Sequence, residues 1–327
     1  MKWFAILMLA CGLTNGKSSQ AQSVPKSEIK AAVMSIASLI EKNYVFADKG
    51  KKIADQFLKQ HRDDKLNHIS DWKTFASVTT EWLQSFGRDG HLYVRNDPKT
   101  VKDLITSERQ KADTNTEQTY AVDSFYNGKA AIEQNYGFAQ VSILSGNVGY
   151  IKVSEINISS KSLRVLYAAM TFVSNTRALI IDLQNNGGGG SEVGAVFESF
   201  FLPPGTPLLE FRGRTGIISK EQTVTWLTEK KYDKPLFILV NKGTASAAEA
   251  FAYALQHHKR AVIVGQRSAG GANMNSWYVV NDQLYVSVST GAPAIPGSNK
   301  SWEQKGIIPD QEVTQGKEID WVLQASR

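Results

Sequence analysis

Cysteine is nearly absent from this chain: one residue in 327, Cys11. It sits in an N-terminal stretch that reads as a removable leader, so the processed protein would hold none. Disulfide scaffolds, thiol nucleophiles and thiolate metal sites are thereby excluded. Long apolar runs are missing as well. Trp3 to Leu13 is too short for a permanent membrane anchor, which needs about 20 apolar residues, and no later segment comes near that length. No integral membrane span is expected. A strong charge bias is also lacking. The formal charge is +6, Lys and Arg are scattered, and no basic stripe invites nucleic acid. No cluster has metal-ligand spacing, and no cofactor is expected.

The leader itself has the features of an export signal. Lys2 supplies a positive start, the apolar stretch follows, and Ser19-Gln20-Ala21 offers the small residues a signal peptidase accepts. The expectation is a signal peptide over 1–21 and an exported protein, periplasmic or secreted. Anchoring as a lipoprotein through Cys11 is disfavoured, because Met8-Leu9-Ala10 makes a poor lipidation box. The competing reading is a buried N-terminal strand or helix.

Residues 25–90 read as a helical N-terminal domain. Ile29, Val33, Ile36 and Ile40 recur at helical spacing, and a second helix covers Ile53 to Gln60. Ser70-Asp71 has the look of a cap, with Trp72, Phe75, Val78, Trp82 and Leu83 on one face after it. Asp89-Gly90-His91 then turns the chain into Leu92-Tyr93-Val94. Residues 91–140 are polar and largely without period, and read as a connecting segment.

From there the pattern alternates. Phe138 to Leu144 and Val148 to Val153 read as strands, and Lys161 to Phe172 as a helix. Ala178 to Leu183 is an apolar run of the kind a doubly covered strand shows. Ser191 to Phe201 reads as helix, Pro235 to Val240 as strand, Ala247 to His257 as helix and Ala261 to Val264 as strand. Trp277 to Val280 and Leu284 to Ser289 flank a hairpin turn, and Glu318 to Gln324 closes the chain as a helix. Such alternation implies an α/β core over 141–327 with a mainly parallel sheet and crossover helices.

Two loops following parallel strands stand out, since such loops carry the sites of α/β folds. Asp182 to Gly190 ends in four glycines, whose uncovered N–H groups can hold an oxyanion, or merely make a tight turn. Asn241 to Glu249 places Ser246 at a helix start among small residues. There it is either an exposed nucleophile, by the logic of a nucleophile elbow, or a plain helix cap. A serine nucleophile needs a base. Among five histidines, His91 is the one in a turn between the helical unit and a strand.

These segments resemble the tail-specific (C-terminal processing) serine protease family, especially its tricorn-core and interphotoreceptor retinoid-binding branch. Asp182 to Gly190 is similar to its D-L-R-x-N-x-G-G loop, and Gly243-Thr244-Ala245-Ser246-Ala247-Ala248-Glu249 to its nucleophile turn. Gly265 to Ala272 matches a G-E-R-T-x-G-G-A turn, and Trp302 to Asp310 a W-E-G-x-G-V-x-P-D ending. Leu39 to Phe46 resembles the helical cap of the retinoid-binding modules. The resemblance implies a ClpP/crotonase-like core preceded by a small helical cap domain. It also implies a serine-type endopeptidase that hydrolyses a peptide or protein substrate. A catalytic lysine about 25 residues beyond the serine is missing, because Gly271 stands there. The implied set is therefore Ser246 as nucleophile, His91 as base and Glu303 as supporting carboxylate, with Ala247 and Gly188 as oxyanion donors. Gln184, Gly90 and Gln304 depart from the family pattern. No substrate-tethering domain of the PDZ kind is visible. A non-catalytic carrier of hydrophobic ligands on the same fold is the alternative.

Overall fold

The computed structural model describes residues 23–63, 65–66, 68–113 and 125–327. The leader over 1–21, with Cys11, lies outside the described residues.

Three helices open the described chain: α1 (Lys26–Asn43), α2 (Ala47–Arg62) and α3 (Trp72–Gly87). Their apolar faces are those the helical spacing marks. Ile29, Val33, Ile36 and Ile40 of α1 are buried together with Ile53, Phe57, Phe75 and Leu83. Asp71 caps α3 by accepting from the Thr74 N–H at 2.8 Å, which removes one of the helix's unpaired donors. The cluster does not close on itself. Strand β1 (Tyr93–Asn96) pairs antiparallel with a strand from the far end of the chain, and Leu284, Val286 and Val288 of that strand complete the helical core.

The polar stretch that follows is not irregular. Pro98–Asp113 forms helix α4. The signal was local: Asp97 accepts from both the N–H and the hydroxyl of Thr100, and Pro98 takes the first helical position, where a missing N–H costs nothing. Few apolar residues mark its buried side, so the periodic reading passed over it.

The α/β core has a six-stranded sheet. In chain order its members are β2 (Phe138–Leu144), β3 (Val148–Val153), β5 (Ala178–Asp182), β9 (Leu236–Val240), β10 (Val262–Gly265) and β13 (Gln311–Glu312), lying side by side as β13-β10-β9-β5-β3-β2. All neighbours are parallel except β2 with β3. Strands β5 and β9 are buried throughout, because both faces are covered. Leu179, Ile181, Ile238 and Val240 join a core with Phe197 and Phe251, whereas Ile180, Phe237 and Leu239 meet Val322 of the closing helix Glu318–Ala325.

A second, five-stranded sheet has the path β1-β12-β7-β8, formed by β1, β12 (Leu284–Ala294), β7 (Pro207–Gly213) and β8 (Gly216–Gln222), with β11 (Met274–Val279) also paired to β12. The β11–β12 hairpin is the one the sequence indicates; the β7–β8 hairpin was not anticipated. Strand β8 is almost wholly exposed and shows no apolar alternation. The expected helix over Ser191 to Phe201 is also corrected. Gly189–Ser191 is a short strand, β6, parallel to β4 (Ile156–Ile158), and only Val196–Ser199 is helical. Gly194, at φ 79°, breaks the run between them.

Candidate active site

Strands β5 and β9 lie side by side, so the loops after them are neighbours, and buried polar groups tie them together. Asn241 Oδ1 accepts from the N–H groups of Asn185 and Gly243, both at 2.9 Å. Thr244 Oγ1 donates to the Leu183 carbonyl at 2.8 Å, and the Ala245 N–H to that of Asn186. The product of this bracing is the backbone of Ser246, which sits at φ 54°, ψ −123° immediately before the helix Ala247–His257. An ordinary helix cap is extended. A side chain held in this left-handed region costs about 1–3 kcal/mol and persists only where the surroundings enforce it.

Gly188 lies directly against this turn. Its φ is 108°, and a Cβ there would fall 2.6 Å from Ser246 Cβ and 3.0 Å from the Ala247 nitrogen. Only glycine fits. The structure thus brings Ser246, Ala247 and Gly188 together. The Gly188 N–H, however, donates to Asn186 Oδ1 at 2.9 Å, so it is engaged rather than open.

A residue that the motif reading passed over is Glu249. It is fully buried, three residues into the helix, and its carboxylate accepts four hydrogen bonds. The donors are the N–H groups of Ser246 (3.0 Å), Gly270 (2.7 Å) and Gly271 (2.9 Å), and the Ser268 hydroxyl. The spacing Ser246-x-x-Glu249 is a capping-box signature. It was the available signal, and it disguises a brace that fixes the serine to the loop 268–271.

His91 also packs against that loop. A Cβ on Gly271 would lie 3.2 Å from His91 Cε1 and 3.9 Å from Glu249 Oε2. Burial pushes the His91 pKa down, against the opposing charges of Asp89 and Glu249, so the imidazole is neutral near pH 7. Its Nδ1 is buried and has no hydrogen-bond partner. The turn is pinned by Asp89, whose Oδ1 accepts from the His91 N–H at 2.9 Å. Asp89 Oδ2 accepts from Tyr44 (2.8 Å), Ser289 (2.7 Å) and Asn273 (3.2 Å).

Glu303 does not reach His91 directly. It accepts from the N–H groups of Ala272 and Asn273 at 2.8 and 3.0 Å, and Asn273 in turn bonds Asp89. Burial, then the charge of Asp89, pushes Glu303 up to about 7, against those two backbone bonds. The fold therefore holds this proton to a higher pH than the unfolded chain does. Stability from that linkage is complete below about 4.5 and is lost as pH rises through about 7. Glu303→Gln has no such group, so its melting temperature should gain on the wild type between pH 5 and 8. Parallel thermal scans across that range check it; parallel curves would refute the shift.

In front of Ser246 lies a cavity of about 460 Å³, whose lining includes Ile156, Phe197, Phe251, Trp302 and two acidic residues, Glu198 and Glu221. Ligand sites of enzymes have this size and apolar character. Among the described residues there is no cluster of His, Cys, Asp and Glu able to hold a metal ion.

Comparison with known proteins places the chain in a family. The sequence pattern of peptidase family S41 matches residues 147–313, half of the chain. The chain belongs to peptidase family S41. Residues 19–127 match the N-terminal domain of peptidase S41 in eukaryotic IRBP. The carboxyl-terminal-processing protease of Synechocystis is 32% identical over 171 residues, which is 52% of this chain and 38% of the relative. The chain spans less than half of the length of the curated relatives it matches, 32% to 44% for five of them. Among solved structures, the photosystem II D1 C-terminal processing protease superposes with a TM-score of 0.53 at 18% identity, covering 89% of this chain and 94% of that one. The tricorn protease gives 0.56 at 13% identity, covering 91% of this chain and 36% of that one. These likenesses show the fold: a mainly parallel α/β core preceded by a helical region.

Proposed function

We propose that the protein is an exported serine peptidase in which Ser246 attacks the peptide carbonyl. The observation that carries this reading is the enforced left-handed backbone of Ser246 at a strand-to-helix turn, with a cavity open before it. His91, neutral and close to the Glu249 brace, takes the serine proton and returns it to the leaving amine. The Ala247 N–H, at the start of its helix where no intrahelical acceptor is available, faces the developing oxyanion. The Gly188 N–H joins it on release from Asn186 Oδ1. Such a donor contributes roughly 3 kcal/mol to the transition state. Glu303 acts at a distance, through Asn273 and Asp89, to hold the His91 turn. Water then hydrolyses the acyl-serine, with His91 again as base. The apolar cavity walls support a second reading, a carrier of hydrophobic ligands, against which the two carboxylates in those walls weigh.

Export is part of this proposal and is supported by the export-signal features of residues 1–21. Among the described residues no helix is long and apolar enough to cross a membrane.

Fluorophosphonate labelling tests the peptidase reading. Wild type should be labelled, Ser246→Ala not at all, and folded His91→Ala at least tenfold more slowly. The labelling rate should rise on an acid limb whose midpoint lies below the ordinary imidazole value of about 6.5, because burial disfavours the charged ring. A folded wild type that fails to label removes Ser246 from the mechanism, and lipid extracted with the purified protein would then favour the carrier.

A further inference from the structure

Glu198 and Glu221 play no part in the chemistry above, yet both line the cavity that holds Ser246. They come from separate elements. Glu198 lies on the short helix Val196–Ser199 and Glu221 on the exposed hairpin strand Gly216–Gln222. Neither forms an ion pair among the described residues. Lys220, beside Glu221 in the chain, pairs instead with Glu210 at 3.5 Å, and Lys231 donates to the Ser199 carbonyl. Tyr126 faces the same cavity and stays protonated, its pKa pushed up to about 12 by burial and by Glu192.

Two carboxylates in an apolar wall without a cation are costly unless something compensates them. Burial, then the charge of Glu221, pushes Glu198 up to about 8, and burial also raises Glu221. Near neutral pH the pair therefore holds a proton that a cation entering the cavity would displace. A second group in the same wall also lacks a partner. Trp302 is 2% exposed, and its Nε1 makes no hydrogen bond.

We propose that Glu198 and Glu221 form a specificity pocket for the cationic side chain, lysine or arginine, of the substrate residue beside the scissile bond. This assignment rests on the peptidase reading, and binding and labelling experiments separate the two.

Equilibrium binding of p-aminobenzamidine to folded Ser246→Ala, followed by its fluorescence, probes the pocket without catalysis. Binding should tighten from pH 6 to pH 9 as the pair gives up its proton, and should weaken roughly tenfold or more in Glu198→Gln and in Glu221→Gln. Absent binding overturns the proposal, as does binding indifferent to both pH and the carboxylates. If a variant fails to fold, the pH dependence in Ser246→Ala alone decides. In parallel, wild type is labelled with a plain fluorophosphonate and with an amidinophenyl phosphonate. Labelling without preference for the cationic reagent keeps the nucleophile and sinks the pocket. Binding of p-aminobenzamidine with no labelling by either reagent keeps the pocket and sinks the nucleophile.

Discussion

Ser246→Ala is expected to lower peptide hydrolysis by about 10⁴–10⁶-fold while leaving the fold intact, since removing the nucleophile of a triad costs that much elsewhere. Activity alone would not distinguish a nucleophile from a helix cap whose loss loosens the site. The backbone separates them. Alanine at φ 54° suffers the same Cβ clash as serine, so Ser246→Ala should be no less strained than wild type. Ser246→Gly removes the Cβ and should be more stable than Ser246→Ala by about 1–2 kcal/mol in urea unfolding, although it is equally inactive. A glycine variant less stable than the alanine one would mean that the turn is not strained, and the elbow reading would fail with it.

Glu249→Ala should produce the largest loss of stability of any single change near the site. The carboxylate satisfies four donors in a buried position, and each abandoned donor costs about 1–3 kcal/mol, less than additively. A net loss of about 3–5 kcal/mol is expected, measured by chemical unfolding. Loop 268–271 loses its anchor, and with it the packing of Gly271 against His91, so labelling of any folded fraction should fall as well. Glu249→Gln keeps the shape but turns an NH₂ toward N–H donors, and should lie between. If Glu249→Ala matched the wild type in stability, the loop would have another support.

How much of this could be read from residues alone depends on what each element buries. Strands β5 and β9 were legible because both faces are covered, leaving an unbroken apolar run. The first helices were legible because Ile29, Val33, Ile36 and Ile40 share one buried face. Strand β8 was not, because its exposed residues carry no pattern, and with it went Glu221 and the acidic wall of the cavity. Helix α4 hid behind its polarity. At the site, Gly188 and Ser246 announced themselves through clustered small residues. Glu249 did not, since its spacing has an ordinary explanation as a helix cap, and only its burial shows that it holds a second loop. Glu303 is the reverse case: the motif is plain, but its route to His91 runs through Asn273 and Asp89, a path that no spacing encodes.

The seam between the helices and β12 bears on how the molecule comes into being. Asp89 takes a hydrogen bond from Ser289, and the His91 carbonyl takes one from Ser287, partners 200 and 196 residues further along the chain. Contacts so distant in sequence form late and slowly, because the intervening loop must close first. During synthesis the helices are made early yet lack Leu284, Val286 and Val288 to finish their core. Until those arrive, the histidine's turn has no fixed seat. The seat of His91 is thus among the last parts of the molecule to be completed, because its partner Ser287 follows it in the chain by 196 residues, and Ser289 follows the neighbouring Asp89 by 200.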